Sequence, residues 1–342
     1  MAQYVVGIAS VLNTVRFIRK QVKSLARLRA RRELYRQIQK KGFPPVLWSK
    51  GYAFLAEQNG GLKEALGRTE KRWTLDQFLG LYDETASSYW IPLTSNAKNG
   101  RECPLDWFAK YIVPKIKNNF ILITTDGPAW IPNDLSHQTV SAILESKKLR
   151  AWFSQNVVLP DYHPKLMGVP LGIDLHTDRG AGVGWGLFEK FLSVSRANEN
   201  CNRHVIADCL LNLNSASRRN ISSLIMNDKR FVTFLKPIDQ LSLWEFYSRS
   251  RYVLSPEGVG ADCHRTWEAL YMGASVICKD VGMSQIYKDL PVYMVDSWDE
   301  LSDPELFERI DEYVKDKHSI WEFSSPEQFV RKLYMTENFY DI

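Results

Sequence analysis

Arg251–Lys279, RYVLSPEGVGADCHRTWEALYMGASVICK, reads as strand, glycine loop, helix, strand. Tyr252, Val253 and Leu254 suit a buried strand. Pro256, Gly258 and Gly260 then interrupt regular structure. Asp262 is placed to N-cap a helix carrying Trp267, Leu270 and Tyr271 on one face, and Gly273 falls where its C-terminus should be. Ala274–Cys278 is apolar again. A parallel strand pair joined by a helical crossover is the economical reading. The glycine loop then lies at the carboxyl end of a strand, where open α/β sheets bind ligands. Its N–H groups and the helix N-terminus favour an anion.

His264, Arg265 and Glu268 occupy one side of that helix's first turns, at spacings of three and four. A guanidinium beside backbone donors suits a diphosphate. A carboxylate one turn deeper can accept both hydroxyls of a ribose. The same spacing also fits an ordinary Arg–Glu surface pair on a crossover helix, of a kind that is individually weak.

The stretch SPEGVGADCHRTWEALYMGASVI, with its Ser-Pro, Gly-x-Gly, Asp-x-His-Arg and Trp-Glu-Ala-Leu, resembles the signature of exostosin-like glycosyltransferases. HPKL at 163–166, VPLGID at 169–174, LPV at 290–292 and WDEL at 298–301 extend the resemblance over roughly residues 118–300. It implies a GT-B fold: two Rossmann-like α/β domains facing across a cleft, with a nucleotide-sugar donor in the second. Ser255, Glu257, Gly258, Gly260, Asp262, His264, Arg265 and Glu268 are then the donor-binding set. It also implies an inverting reaction, served by a single general base.

Hydrophobic residues make up 45% of the 342 and charged residues 24%, which are globular values and enough chain for two domains. Cys103, Cys201, Cys209, Cys263 and Cys278 lack metal-site or paired spacing, so reduced thiols and a cytoplasmic setting are expected. The net charge of +5 is unevenly spread. Residues 1–41 hold 11 Lys or Arg against the single Glu33, about +10, leaving 33 basic against 38 acidic residues beyond. A mildly acidic body argues against a nucleic-acid surface across the whole protein.

Residues 4–40 read as one long helix with an apolar stripe at Val5, Ile8, Leu12, Val15, Ile18, Val22, Leu25 and Leu28. From Arg16 on, arginines and lysines crowd its other positions. A helix lying on an anionic membrane surface fits this pattern. Packing on the body or on a second copy, or a targeting segment, are the alternatives.

Gly42-Phe43-Pro44-Pro45 ends the helix. Residues 46–110 are hard to place, apart from a short helix after Thr74 and a polar loop at Asn96–Cys103. NNFILITT, 118–125, reads as a central parallel strand. Asp126 follows at its carboxyl end and is the first candidate for general base, or else a turn-forming Asp before Gly127 and Pro128. His163 is the second candidate, or caps a turn before Pro164. A helix is expected over Ser136–Lys148, and strand over 149–159. GAGVGWG, 180–186, has no strong strand before it and reads as a flexible interdomain crossing. Arg203–Asn212 opens the second domain as a strand. Arg218 or Arg219 then sits at the sheet's mouth to reach a diphosphate, with Ser215 or Ser217 as a further donor to it.

The expected division is 1–41 basic helix, 42–172 acceptor-side domain, 173–202 crossing, 203–303 donor domain and 304–342 helices returning to the first domain. The expected activity is sugar transfer from a nucleotide sugar to a hydroxyl of a glycan or lipid-linked acceptor. No Asp-x-Asp motif is present, so no cofactor and no essential metal are expected. Two other functions fit the sequence: a GT-B scaffold that binds nucleotide sugars without catalysis, and a nucleic-acid-associated protein using its basic N-terminus.

Overall fold

A computed structural model describes residues 26, 29–67, 73–159, 162–195, 202–211, 213, 215–322 and 325–335. Strands of strong β-propensity separate into two wholly parallel sheets. The first has β1 (Ser88–Pro92), β2 (Phe120–Thr125), β3 (Leu149–Ser154) and β4 (Leu166–Gly168) in sequential order. Its faces follow the two-residue alternation of a strand. Tyr89, Ile91, Leu122 and Trp152 join one core, whereas Trp90, Ile123, Ala151 and Phe153 join another on the opposite face. Strands covered on both faces read as near-continuous apolar runs, which is why β2 was legible. β1 falls in the stretch that resisted placement. Its Pro92 argues against a central strand, and β1 is an edge strand, where a missing N–H is tolerated. Thr74 N-caps helix Leu75–Leu79 with a full capping box. The expected loop at 96–103 begins inside a one-turn helix, Ser95–Lys98. The helix expected over Ser136–Lys148 is shorter, His137–Leu144, with Ser136 as its cap.

The second sheet has β5 (Asn202–Ile206), β6 (Phe231–Val232), β7 (Ser250–Leu254), β8 (Ser275–Lys279) and β9 (Val292–Val295), in the order β6-β5-β7-β8-β9. This is a doubly wound order whose direction reverses between β5 and β7, the place where such sheets form a ligand crevice. β7, helix His264–Tyr271 and β8 realise the strand–helix–strand unit read from Arg251–Lys279. Its N-cap, however, is Cys263 rather than Asp262, with Gly273 at φ 86° just past its end.

Two segments pack more tightly than their sequence suggests. Residues 173–202 are not a flexible crossing, because helix Gly184–Ser195 begins inside the glycine run. Its Leu187, Phe188 and Phe191 are buried, and Phe191 packs edge-on against Trp244 at 4.7 Å. Nor is residue 41 the edge of an independent helix. Residues 29–41 are helical, and Leu34 and Ile38 are buried in the core that Phe191 joins. Gly184 has φ 58°, a left-handed conformation that favours glycine, where helix Gly184–Ser195 meets Leu34 and Gln37. Gln37 Oε1 accepts from the Trp185 amide at 2.7 Å. Residues 1–25, 27 and 28, with all of the expected apolar stripe, lie outside the described residues.

The sheets meet along a packed seam. One core takes Trp48, Val158, Leu171 and Ile173 from the first half together with Val253, Trp267, Val276 and Ile286 from the second. A Cβ at Gly282 would lie 1.9 Å from the Val158 carbonyl oxygen, so only glycine fits that crossing. At the C-terminus, Pro326 lies against Gly51 and Phe329 enters the shared core, so helix Pro326–Met335 lies on the first half. No helix among the described residues is long and apolar enough to cross a membrane.

Candidate functional site

The carboxyl ends of β5 and β7 open into a cleft of about 250 Å³. β5 delivers Asp208, the helix Ala216–Leu224 delivers Arg218, and the first turns of helix His264–Tyr271 deliver His264, Arg265 and Glu268.

Arg265 is fixed by a residue the sequence reading missed. Its Nε lies 2.9 and 3.0 Å from the two Asp208 carboxylate oxygens. Tyr247 Oη donates to Asp208 Oδ1 at 3.0 Å. The pair is largely buried, and burial opposes the guanidinium charge, but Asp208 outweighs it and keeps Arg265 firmly protonated. The available signal was an Asp closing an apolar strand, HVIAD at 204–208, at a sheet's ligand edge.

Glu268 is 2% exposed. Its Oε2 accepts from Trp244 Nε1 at 3.1 Å, while Oε1 finds no hydrogen-bond partner among the described residues. Burial pushes its carboxyl pKa up, against the pull of Arg179 and His264. An orphaned carboxylate oxygen at a cleft floor costs free energy until a donor arrives.

His264 Nδ1 lies 2.7 Å from the Gly172 carbonyl. A carbonyl oxygen only accepts, so Nδ1 carries the ring proton and Nε2 the lone pair. Of the two candidate arginines, Arg218 lines the cleft, whereas Arg219 is exposed and donates to the Leu213 carbonyl at 2.9 Å.

Several expected ligand contacts are taken up internally. Asp262 accepts from the amides of Leu171 and Cys263, both at 2.7 Å, from Trp267 Nε1 at 2.7 Å and from Tyr287 Oη at 3.0 Å. Its role is to tie the halves together, and its lone pairs are spent. The Ser255 hydroxyl pairs with Thr266 Oγ1 at 2.9 Å. Ser215 caps its own helix, and Ser217 donates to Glu257. The Gly258 amide donates to the Gly260 carbonyl at 3.1 Å, so it closes the loop instead of meeting an anion. Gly260 faces the Asn156 side chain, where a Cβ would sit 3.2 Å away.

The two candidate bases part company. Asp126 follows β2 with φ 64°, at the sheet's ligand edge. Its Oδ2 lies 2.6 Å from Lys50 Nζ, with 3% and 10% of the Lys and Asp side chains exposed. It therefore meets the seam as half of an ion pair. Lys50 lay in the unplaced stretch and carried no signal. His163 precedes β4, at the amino edge of the sheet, about 20 Å of strand from the edge bearing Asp126. Its Nδ1 accepts from the Lys165 amide at 3.1 Å, closing a turn. Burial and the Lys165 charge lower its pKa. That position takes no part in a cleft at the opposite edge.

One further group converges on the seam. Asp174, His176 and His264 each bring a ligand-capable atom to within 4.8 Å of the others'. Arg179 Nη2 donates to Asp174 Oδ2 at 2.9 Å. Burial raises the Asp174 carboxyl, but the charges of His176, His264 and Arg179 outweigh it and hold it below the usual range. Burial lowers His176 to about 4, against the attraction of Asp174.

No protein-family model matches this chain, and no curated protein matches it.

Proposed function

We propose that this protein is a glycosyltransferase of GT-B type, moving a sugar from a nucleotide-sugar donor to a hydroxyl of a glycan or lipid-linked acceptor with inversion. The observation that carries the reading is the unpartnered Glu268 oxygen on the floor of a cleft that also holds Arg218 and Arg265, at the reversal point of a doubly wound sheet. A ribose hydroxyl supplies the donor that Glu268 Oε1 lacks. The guanidiniums of Arg218 and Arg265 supply charge where a leaving diphosphate develops it. The resemblance of SPEGVGADCHRTWEALYMGASVI to exostosin-like enzymes points the same way. The cleft is slightly smaller than a typical ligand site of ~300–1,000 Å³, so the sugar extends past it toward the first sheet. Asp126 is the candidate base at that edge, and binding energy from the nucleotide positions the sugar for attack.

Nucleoside-diphosphate release, measured over a panel of nucleotide sugars, tests this. Release above background with one donor supports it, and none with any donor defeats it. Glu268→Gln should weaken donor affinity about 10–100-fold by isothermal titration, since one charge-assisted hydrogen bond of about 1.5–3 kcal/mol is lost. Arg265→Ala should lower kcat more than it raises the donor Kd, because charge grows on the diphosphate in the transition state. Equal and small effects from both variants would reduce the pair to a structural one.

The Lys50–Asp126 ion pair favours a second reading, a nucleotide-sugar-binding protein without transfer, because it ties up the candidate base. Titrated donor binding with no diphosphate release would select it.

A further inference from the structure

We propose that Asp174, His176 and His264 form a binding site for a divalent transition-metal ion, with Zn²⁺ as the best match. The three ligand atoms lie within 4.8 Å of one another and come from two distant parts of the chain, the turn at 174–176 and the first turn of helix His264–Tyr271. The site departs from the expectation of a protein without metal. It shares His264 and Arg179 with the lining of the donor cleft, and its test is read without nucleotide.

Each ligand is already oriented. His264 donates Nδ1–H to the Gly172 carbonyl, the outer hydrogen bond that metal-bound histidines use to fix their rings, and its Nε2 lone pair is left to ligate. Asp174 is held by the His176 and Thr177 amides at 3.1 and 3.0 Å and by Arg179 on its other oxygen. Of about four lone-pair positions on a carboxylate, these occupy three.

His176 is the third ligand. Its Nδ1 lies 3.1 Å from Trp48 Nε1, and an indole N–H only donates, so Nδ1 bears a lone pair. The same Nδ1 lies 3.1 Å from Asp174 Oδ1. Both atoms are already engaged, Nδ1 by the Trp48 N–H and Oδ1 by the His176 and Thr177 amides, so the carboxylate position left open is on Oδ2, beside Arg179. Neighbouring N and O ligands of a tetrahedral site with bonds of about 2.0–2.1 Å stand roughly 3.3 Å apart, and the three ligand atoms, within 4.8 Å of one another, can reach that edge. An ion bound here displaces the Trp48 N–H from His176 Nδ1.

Two imidazoles and one carboxylate form a borderline donor set that selects Zn²⁺, with Co²⁺ as a spectroscopic substitute, over Mg²⁺ or Ca²⁺. Three protein ligands leave a fourth position open. Arg179 beside Asp174 repels the ion and limits the affinity.

The test uses full-length protein stripped with a chelator, without nucleotide, so its outcome does not depend on the donor reading. Co²⁺ titration should give a visible absorption that saturates at one equivalent and is displaced by Zn²⁺. His264→Ala and His176→Ala should each weaken Zn²⁺ binding by more than about 100-fold, beyond the usual cost of losing an outer-shell partner. Arg179→Met should strengthen it several-fold by removing the neighbouring charge. A Co²⁺ spectrum that never saturates, or Zn²⁺ held equally by both histidine variants, overturns the site. If the histidine variants fail to fold, the wild-type spectrum and the Arg179→Met shift decide it.

Discussion

Asp262→Ala should remove most of the protein's folding stability. The carboxylate is 4% exposed and accepts four hydrogen bonds, two of which join the halves or their layers: from the Leu171 amide at 2.7 Å and from Tyr287 Oη at 3.0 Å. The Asp262 amide itself donates to Asn156 Oδ1 at 2.9 Å, so the seam is crossed twice at one residue. Alanine leaves four donors without an acceptor. At about 1–3 kcal/mol for each unsatisfied buried group, the loss approaches the ~5–15 kcal/mol that holds a whole domain. Asp262→Asn keeps the shape but turns an amino group toward donors, and should cost roughly half as much. Urea unfolding followed by tryptophan fluorescence reads both. Wild-type behaviour of Asp262→Ala would return Asp262 to the ligand-binding set. Glu268→Gln is the natural control, because the oxygen it alters has no partner to lose.

Deleting residues 1–41 should also abolish cooperative folding. Leu34 and Ile38 are 1% and 4% exposed and pack on the helix Gly184–Ser195 layer. Losing each such side chain costs about 2–5 kcal/mol, and the deletion further uncovers the surface they cover. Deleting only residues 1–28 spares both. The shorter deletion should fold, should keep donor binding, and should lose sedimentation with anionic vesicles, since Arg16, Arg19, Lys20, Lys23 and Arg27 go with it. Full-length protein should leave such vesicles as salt rises and screens the attraction. A cooperative, unshifted melt after deletion of 1–41 would show that the core does not need the helix. Full-length protein that ignores anionic vesicles at low salt would end the membrane reading.

Residues 29–41 show why the packing of this helix does not follow from its sequence pattern. A stripe at three- and four-residue steps shows that a helix has an apolar face, but not what covers that face. Val5 to Leu28 and Leu34 to Ile38 look alike in sequence. Only Gly184, with its left-handed φ where the second helix meets Leu34 and Gln37, distinguishes the later part, and the glycine run around it reads equally well as a flexible loop.

The sequence by itself determined the local elements and their direction. Four apolar or β-branched residues in a row made β2 a buried parallel strand, and the alternation of strand, glycine loop and helix in 251–279 made the β7–β8 crossover. Those signals are local because backbone geometry and side-chain period act over a few residues. Tertiary structure decided which polar groups meet. Asp208 is 57 residues from Arg265, Lys50 is 76 from Asp126, and Leu171 is 91 from Asp262. No periodicity couples positions so far apart. Their partnerships exist because two sheets close on one seam, where a buried charge must find an opposite charge or a full set of hydrogen bonds. That requirement turned Asp262 from a ligand candidate into a tie between the halves, paired Asp126 with Lys50, and left Glu268 as the acidic side chain of the cleft with an oxygen still to be satisfied.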